Sequence, residues 1–181
     1  SIKTDKRYTD VTVVPARGSM GTDVEIQSNN IVAITSKKLH SNYKLLNIPD
    51  ELGEEAMKTL SQEPEIKNTL DYIQKTNVLV FAIGKASEMT KRRKLPEDKV
   101  DEIISKGAVG EAFGYYFNEN GEIVYKLNTA GIDLETFKNV EESIAIFAGK
   151  SKANALIALS NVNKNIVLVT DEESAKAILK Q

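Results

Sequence analysis

Apolar residues recur along the chain in short blocks separated by amphipathic stretches, and the blocks alternate between strand-like and helix-like spacing. Val11, Val13 and Val14 predict a pleated strand that Pro15 closes. Thr22 and Glu25, spaced as T-D-V-E, form a capping-box pattern that predicts a helix from Asp23. Gln27 lies three residues after Val24 and four before Ile31, which predicts that it shares their inward stripe. Tyr43 to Ile48 predicts a short strand ending at Pro49, and Asp50 then caps a helix to about Leu60. Pro64 suits the first turn of a helix that continues to about Lys75. Asn77 to Ile83 is almost continuously apolar, as expected of a central parallel strand covered on both faces, and Gly84 ends it. Helices are predicted over Ala86 to Lys94 and Glu97 to Lys106. Two more buried strands, Ser143 to Phe147 and Ile166 to Thr170, precede helices near Ser151 to Ser160 and Asp171 to Lys180.

Strands alternating with helices imply an α/β class: an open, mostly parallel sheet with right-handed crossovers and helices on both faces. One segment interrupts the pattern. Tyr115 to Tyr125 places strand residues on both sides of Asn120-Gly121, a strong turn signal, so a β-hairpin is inserted. No internal repeat or low-complexity segment is present.

Composition narrows the function more than the fold. At 181 residues the chain is expected to be a single domain, 1–181, with a substantial core. It contains no cysteine, which excludes disulfides and thiolate chemistry and fits a reducing cytoplasm. Its one histidine, His40, falls at the polar end of the first helix, so a histidine metal cluster is excluded and no metal or cofactor is expected. A formal net charge of −2 argues against non-specific nucleic-acid binding, which needs a basic face. No apolar run approaches the length of a membrane span, and nothing near Ser1 resembles a signal peptide. The first methionine is Met20, which suggests a piece of a longer protein.

Four segments carry candidate chemistry. Arg17 falls where a strand's carboxyl end meets a helix start, the position at which open α/β sheets bind ligands and helix termini attract anions. A surface arginine with a satisfied glutamine is the plainer reading of Arg17 and Gln27. In FAGKSKANAL, Gly149 follows a strand and Ser151 can cap the next helix, with Lys150 and Lys152 adding charge; an anion site is favoured over a plain βα turn. The letters GKS do not make a P-loop, because the required upstream glycine is Ile144. In GKASEMTKRRK, Arg92 and Arg93 point about 100° apart, so at most one faces a given pocket. Glu111, in AVGEAFGYYF, is placed to accept sugar hydroxyls or to pair with a neighbouring cation.

VVPARGSMGTDVEIQSN, EMTKRRK, GAVGEAFGYYFNENGEIVYK, GKSKANAL and NIVLVTDEESAKAIL together resemble the central glycolytic gene regulators, bacterial repressors of the SorC type. The similarity is collinear from about Val11 to Lys180. The resemblance implies a Rossmann-like, sugar-isomerase-like effector-binding domain that binds a phosphorylated sugar, fructose 1,6-bisphosphate in the glycolytic branch. It implies Arg17 and Arg92 on phosphate, Gln27 on the ligand, Glu111 facing sugar hydroxyls, and Gly149, Lys150, Ser151 and Lys152 as a phosphate-binding helix start. Two departures stand out. The turn reads AGKSK where the family pattern is richer in glycine and serine, and the family's Gly-Thr-Thr phosphate loop and helix-turn-helix domain lie upstream of this sequence.

The expected protein is therefore a cytoplasmic homo-oligomer that reads operator DNA only through a domain outside this chain, and not an enzyme. One alternative is a sugar-phosphate isomerase or deaminase using Glu111 as its base; another is an oligomerisation domain that has lost its ligand. The enzyme reading lacks an obvious second acid/base partner. A sheet missing an upstream strand is also expected to hide its exposed surface by self-association.

Overall fold

Two-residue strands and side-chain hydrogen bonds, rather than long ladders, build the first part of the chain. In the computed structural model, which describes residues 4–21 and 23–180, the chain divides into two compact units, Ser1–Thr76 with Asn128–Asp133, and Asn77–Leu127 with Leu134–Gln181.

In the first unit, β1 (Thr12–Val13) pairs in parallel with β2 (Asn42–Tyr43) on either side of α1 (Ser28–Leu39). The helix begins later than its capping pattern suggests. Asp23 Oδ1 accepts from the Glu25 N–H and caps a single 3₁₀ turn, Val24–Ile26, and extended backbone at Gln27 separates that turn from α1. Thr22, the other half of the capping pattern, lies outside the described residues. The predicted inward stripe is also absent, because Val24 and Ile31 are 71% and 52% exposed. The predicted strand over Tyr43 to Ile48 stops at Tyr43. Beyond it, the Asn29 amide accepts from the Leu46 N–H and donates to the Leu46 carbonyl, so a side chain does what a neighbouring strand would do. The helix expected from Asp50 starts instead as α2 (Glu54–Leu60), after Gly53, because the Asp50 carboxylate is buried and engaged elsewhere. α3 (Pro64–Gln74) begins at its proline as predicted.

The second unit holds two sheets. β3 (Val78–Phe81), β8 (Glu142–Ile146) and β9 (Ile166–Val169) form a parallel sheet in the order β3-β8-β9. β4 (Gly84–Lys85), β5 (Ala108–Ala112), β6 (Tyr115–Asn118) and β7 (Ile123–Lys126) form an antiparallel sheet in sequence order. The Asn120-Gly121 hairpin is present between β6 and β7, with Gly121 at φ 82° and Asn118 Oδ1 accepting from the Asn120 and Glu122 N–H groups. The sequence did not mark β5 as a strand, since it contains Gly110; that glycine is required because a Cβ there would meet the Phe117 ring at 2.5 Å. Around these sheets lie α4 (Ala86–Arg92), α5 (Glu97–Ser105), α6 (Leu134–Asn139), α7 (Ala153–Val162) and α8 (Glu172–Leu179). Phe81, Phe113 and Phe137 pack with ring centroids 5.2–5.5 Å apart, joining β3, the β5–β6 turn and α6.

The parallel sheet differs in one respect from its apolar pattern. Its strands alternate in exposure, and β3 is an edge strand among the described residues. Register aligns Val80, Ile144 and Val167 in one row and Ile146 with Val169 in the next. Of these, Val80, Ile146, Val167 and Val169 are 46–58% exposed. One face of a sheet whose composition suits double coverage is thus open in this chain.

Candidate functional site

The loop that follows β1 is fastened from three directions. Gly18 donates its N–H to the Ala130 carbonyl, Ser19 donates to Ile48 O, and Asp50 donates to Ser19 O at 2.8 Å. Gly18 is required there, since a Cβ would lie 2.6 Å from the Pro49 carbonyl oxygen. Within this frame Arg17 donates from Nε to Asp50 Oδ1 at 2.7 Å and from Nη2 to Oδ2 at 2.6 Å. The bidentate pair is asymmetric in exposure: the Asp50 side chain is 2% accessible, that of Arg17 19%. Gln27 closes the other end of the loop, accepting from the Met20 N–H and donating to the Met20 and Gly21 carbonyls. Its amide shapes the arginine loop, a role that no inward helical stripe would reveal.

In the second unit Glu111 is buried on β5. Its Oε1 accepts from Arg93 Nη2 at 3.0 Å and from the Gly114 N–H at 2.6 Å. The pair is sealed, with side chains 2% and 3% accessible. Phe113 and Gly114 both take positive φ, 57° and 88°, in the tight turn that brings the Gly114 N–H onto the carboxylate. Of the two neighbouring arginines, Arg93 is turned inward and Arg92 is exposed, in keeping with the angle between them.

The turn after β8 is also built differently from its expected form. Ser151 does not cap a helix; it sits in a 3₁₀ turn, Lys150–Lys152, and α7 begins at Ala153 with no side-chain cap. Gly149, at φ 101°, donates its N–H to Asp171 Oδ2 at 2.8 Å. Asp171 Oδ1 accepts from the Ser174 N–H as the cap of α8. These bonds, the Ser174 N–H first and the Gly149 N–H second, hold the Asp171 carboxyl below its ordinary value. Lys150 and Ser151 are exposed and Lys152 is half-buried.

The structure thus brings Arg17 and Gln27 into one loop of the first unit. In the second it places Glu111 against Arg93 and ties the Gly149 turn to Asp171. Asp50, Arg93 and Asp171 were not read from the sequence as site residues. Asp50 gave a helix-cap signal, which conceals any second partner, and Asp171 was read only as the start of a helix. Among the described residues no group of three or more His, Asp or Glu side chains is arranged to hold a metal ion, and no helix is long and apolar enough to cross a membrane.

The structure defines an α/β protein with a cation-bearing loop beside a strand end in each of its two units. Residues 2–180 match the family described as "Putative sugar-binding domain", and the chain belongs to that family. It is 42% identical over 176 residues to the central glycolytic genes regulator of Priestia megaterium and 39% identical to that of Bacillus subtilis. Each alignment covers 97% of this chain and 52% of the relative, so the chain spans about half the length of these regulators. The crystal structure of a "putative SorC family transcriptional regulator" from Enterococcus faecalis superposes with a TM-score of 0.85 at 39% identity, covering 99% of this chain and 72% of that one. The full-length sorbitol operon regulator SorC of Klebsiella pneumoniae shares the fold at 18% identity, with a TM-score of 0.86 over 98% of this chain and 60% of that one. The names of these relatives are those of transcription regulators rather than enzymes.

Proposed function

We propose that this chain is the effector-binding part of a transcription regulator of glycolytic genes, and that its effector is a phosphorylated sugar, fructose 1,6-bisphosphate. The observation that carries this reading is the near-complete match, at about 40% identity, to two regulators of glycolytic genes. A bisphosphate brings roughly three to four negative charges, so a chain of net charge −2 must gather its cations locally. In the first unit Arg17 is the phosphate ligand, and Gln27 holds its loop and contacts the effector. In the second unit Arg92, Lys150 and Lys152 offer accessible charge, Gly149 and Ser151 shape the turn that carries the two lysines, and Glu111, sealed against Arg93, bears on sugar recognition through that pair rather than by direct contact.

The same reading makes the chain one part of a larger homo-oligomeric protein in which a separate domain reads operator DNA. The open face bearing Val80, Ile146, Val167 and Val169 supports it, because residues of the whole protein outside this sequence would cover that face. Titration calorimetry of the full-length regulator tests the effector: fructose 1,6-bisphosphate should bind, and fructose should not. At a hundredfold excess over Kd the ligand should add about 2.7 kcal/mol of stability. Failure of every phosphorylated hexose to bind would overturn the effector assignment.

A further inference from the structure

Asp50 is the most deeply buried acid of the first unit, and both its backbone and its carboxylate are engaged. Its N–H donates to Ser19 O at 2.8 Å, its carbonyl accepts from the Ala130 N–H at 2.7 Å, and both carboxylate oxygens hold Arg17. The backbone of Asp50 also lies against Gly18, whose Cβ, if present, would stand 2.8 Å from the Asp50 Cα. A guanidinium held along its Nε and Nη2 edge cannot swivel, because two parallel N–H···O bonds fix its plane as well as its position. Yet the Arg17 side chain keeps 19% of its surface open while its partner keeps 2%. The asymmetry leaves part of the arginine within reach of a ligand while the carboxylate is covered, and a buried ion pair is in any case weak evidence of net stabilisation.

From this geometry we infer that Asp50 is a positioning residue for anion recognition, presenting the Arg17 guanidinium to a phosphate group in one fixed orientation. The inference rests on the proposed role of Arg17 as a phosphate ligand. Asp50 does not touch the anion; its negative charge would repel one, and its burial behind the arginine keeps that charge away from solvent. Presetting a flexible arginine removes the ordering cost that binding would otherwise carry. The carboxylate also offsets the cost of holding a cation in a partly covered loop.

The test is a double-mutant cycle on the full-length regulator with Asp50→Asn, Arg17→Gln and the two combined, titrated with fructose 1,6-bisphosphate. Asp50→Asn should weaken binding roughly tenfold to hundredfold in the parent protein and scarcely further in the Arg17→Gln background. An unchanged affinity, or the same loss in both backgrounds, would overturn the inference. Should the asparagine variant fail to fold, Asp50→Glu keeps the charge pair but displaces the guanidinium by about one methylene; wild-type affinity in that variant would overturn it equally. A parallel titration with inorganic phosphate, followed at the Arg17 Nε–H resonance in arginine-labelled protein, separates this inference from the sugar assignment. If the sugar bisphosphate fails to bind but phosphate shifts the Arg17 signal in the parent and not in Asp50→Asn, the sugar assignment falls and the role of Asp50 stands. A parent Arg17 signal that moves with neither ligand removes the role of Asp50 as well.

Discussion

The backbone N–H of Gly149 donates to Asp171 Oδ2 at 2.8 Å, so one carboxylate fixes both the turn after β8 and the start of α8. The turn that carries Lys150 and Lys152 is therefore set by a residue 22 positions away. It also follows that the Gly149 N–H is already committed, which leaves the two lysines and the 3₁₀ turn as the turn's means of attracting an anion.

The pH dependence of this contact has a definite sign. The Asp171 carboxyl is lowered from an ordinary 3.8 by the Ser174 and Gly149 N–H groups. A carboxyl with a depressed folded pKa contributes stability that is present above its unfolded value and is lost as pH falls through the folded one. Asp171→Asn should therefore be less stable than the parent at pH 7, and the difference should shrink at pH 3 and below. Urea melts at the two pH values check this. A gap of constant size would show that hydrogen bonding, not charge, makes the contact.

Arg17→Ala should do more than weaken a ligand. It leaves the Asp50 carboxylate, 2% accessible, without its bidentate partner. Removing one partner of a buried pair costs on the order of 3–5 kcal/mol, and the partial exposure of Arg17 places this pair toward the lower end. Denaturant melts of the parent and the variant measure the loss; a change below about 1 kcal/mol would mean that water or another cation replaces the guanidinium.

Glu111→Gln is expected to cost a similar amount, about 3–5 kcal/mol, because it leaves Arg93 buried beside a neutral amide. The amide oxygen can still accept from the Gly114 N–H, so the Phe113-Gly114 turn should persist. In the full-length regulator the variant should alter discrimination among sugar phosphates, measured by competition calorimetry. Coupled assays should detect no turnover of sugar phosphates by the parent; turnover lost in Glu111→Gln would instead favour an enzyme.

The open sheet face makes a prediction that differs between the short and the whole protein. Val167 is 58% exposed here, so Val167→Ser should change the stability of the 181-residue chain by about 0.5 kcal/mol or less. If further residues of the regulator cover that face, the same substitution in the full-length protein should cost 1 kcal/mol or more, roughly the transfer cost of a buried valine. Sedimentation across a concentration series should also show the short chain self-associating more than the long one. Equal costs and a strictly monomeric short chain would mean that the face is not covered.

Much of the layout was legible because it is encoded locally. The apolar runs of β3, β8 and β9, the Pro64 start of α3, the start of α8 near Asp171 and the Asn120-Gly121 hairpin each depend on residues within a few positions of one another. The misreadings share the opposite property. Tyr43 to Ile48 has the composition of a strand, but Asn29, 17 positions from Leu46, satisfies its backbone. Asp50 has the signature of a helix cap, but its carboxylate serves an arginine 33 positions away. The Thr22–Glu25 pattern announced a helix that α1 enters only at Ser28, after the break at Gln27.

The sequence by itself determined the α/β class, the inserted hairpin, the absence of cysteine and histidine-cluster chemistry, and the loops in which charged candidates sit. Periodicity, turn chemistry and composition are properties of neighbouring residues, and they survive without a fold. Only the tertiary structure decided which charges meet. Arg17 with Asp50, Arg93 with Glu111, and Gly149 with Asp171 join positions 33, 18 and 22 residues apart. Whether an arginine presents its charge to solvent or gives it to a buried carboxylate depends on which loop folds against it, and no local pattern records that.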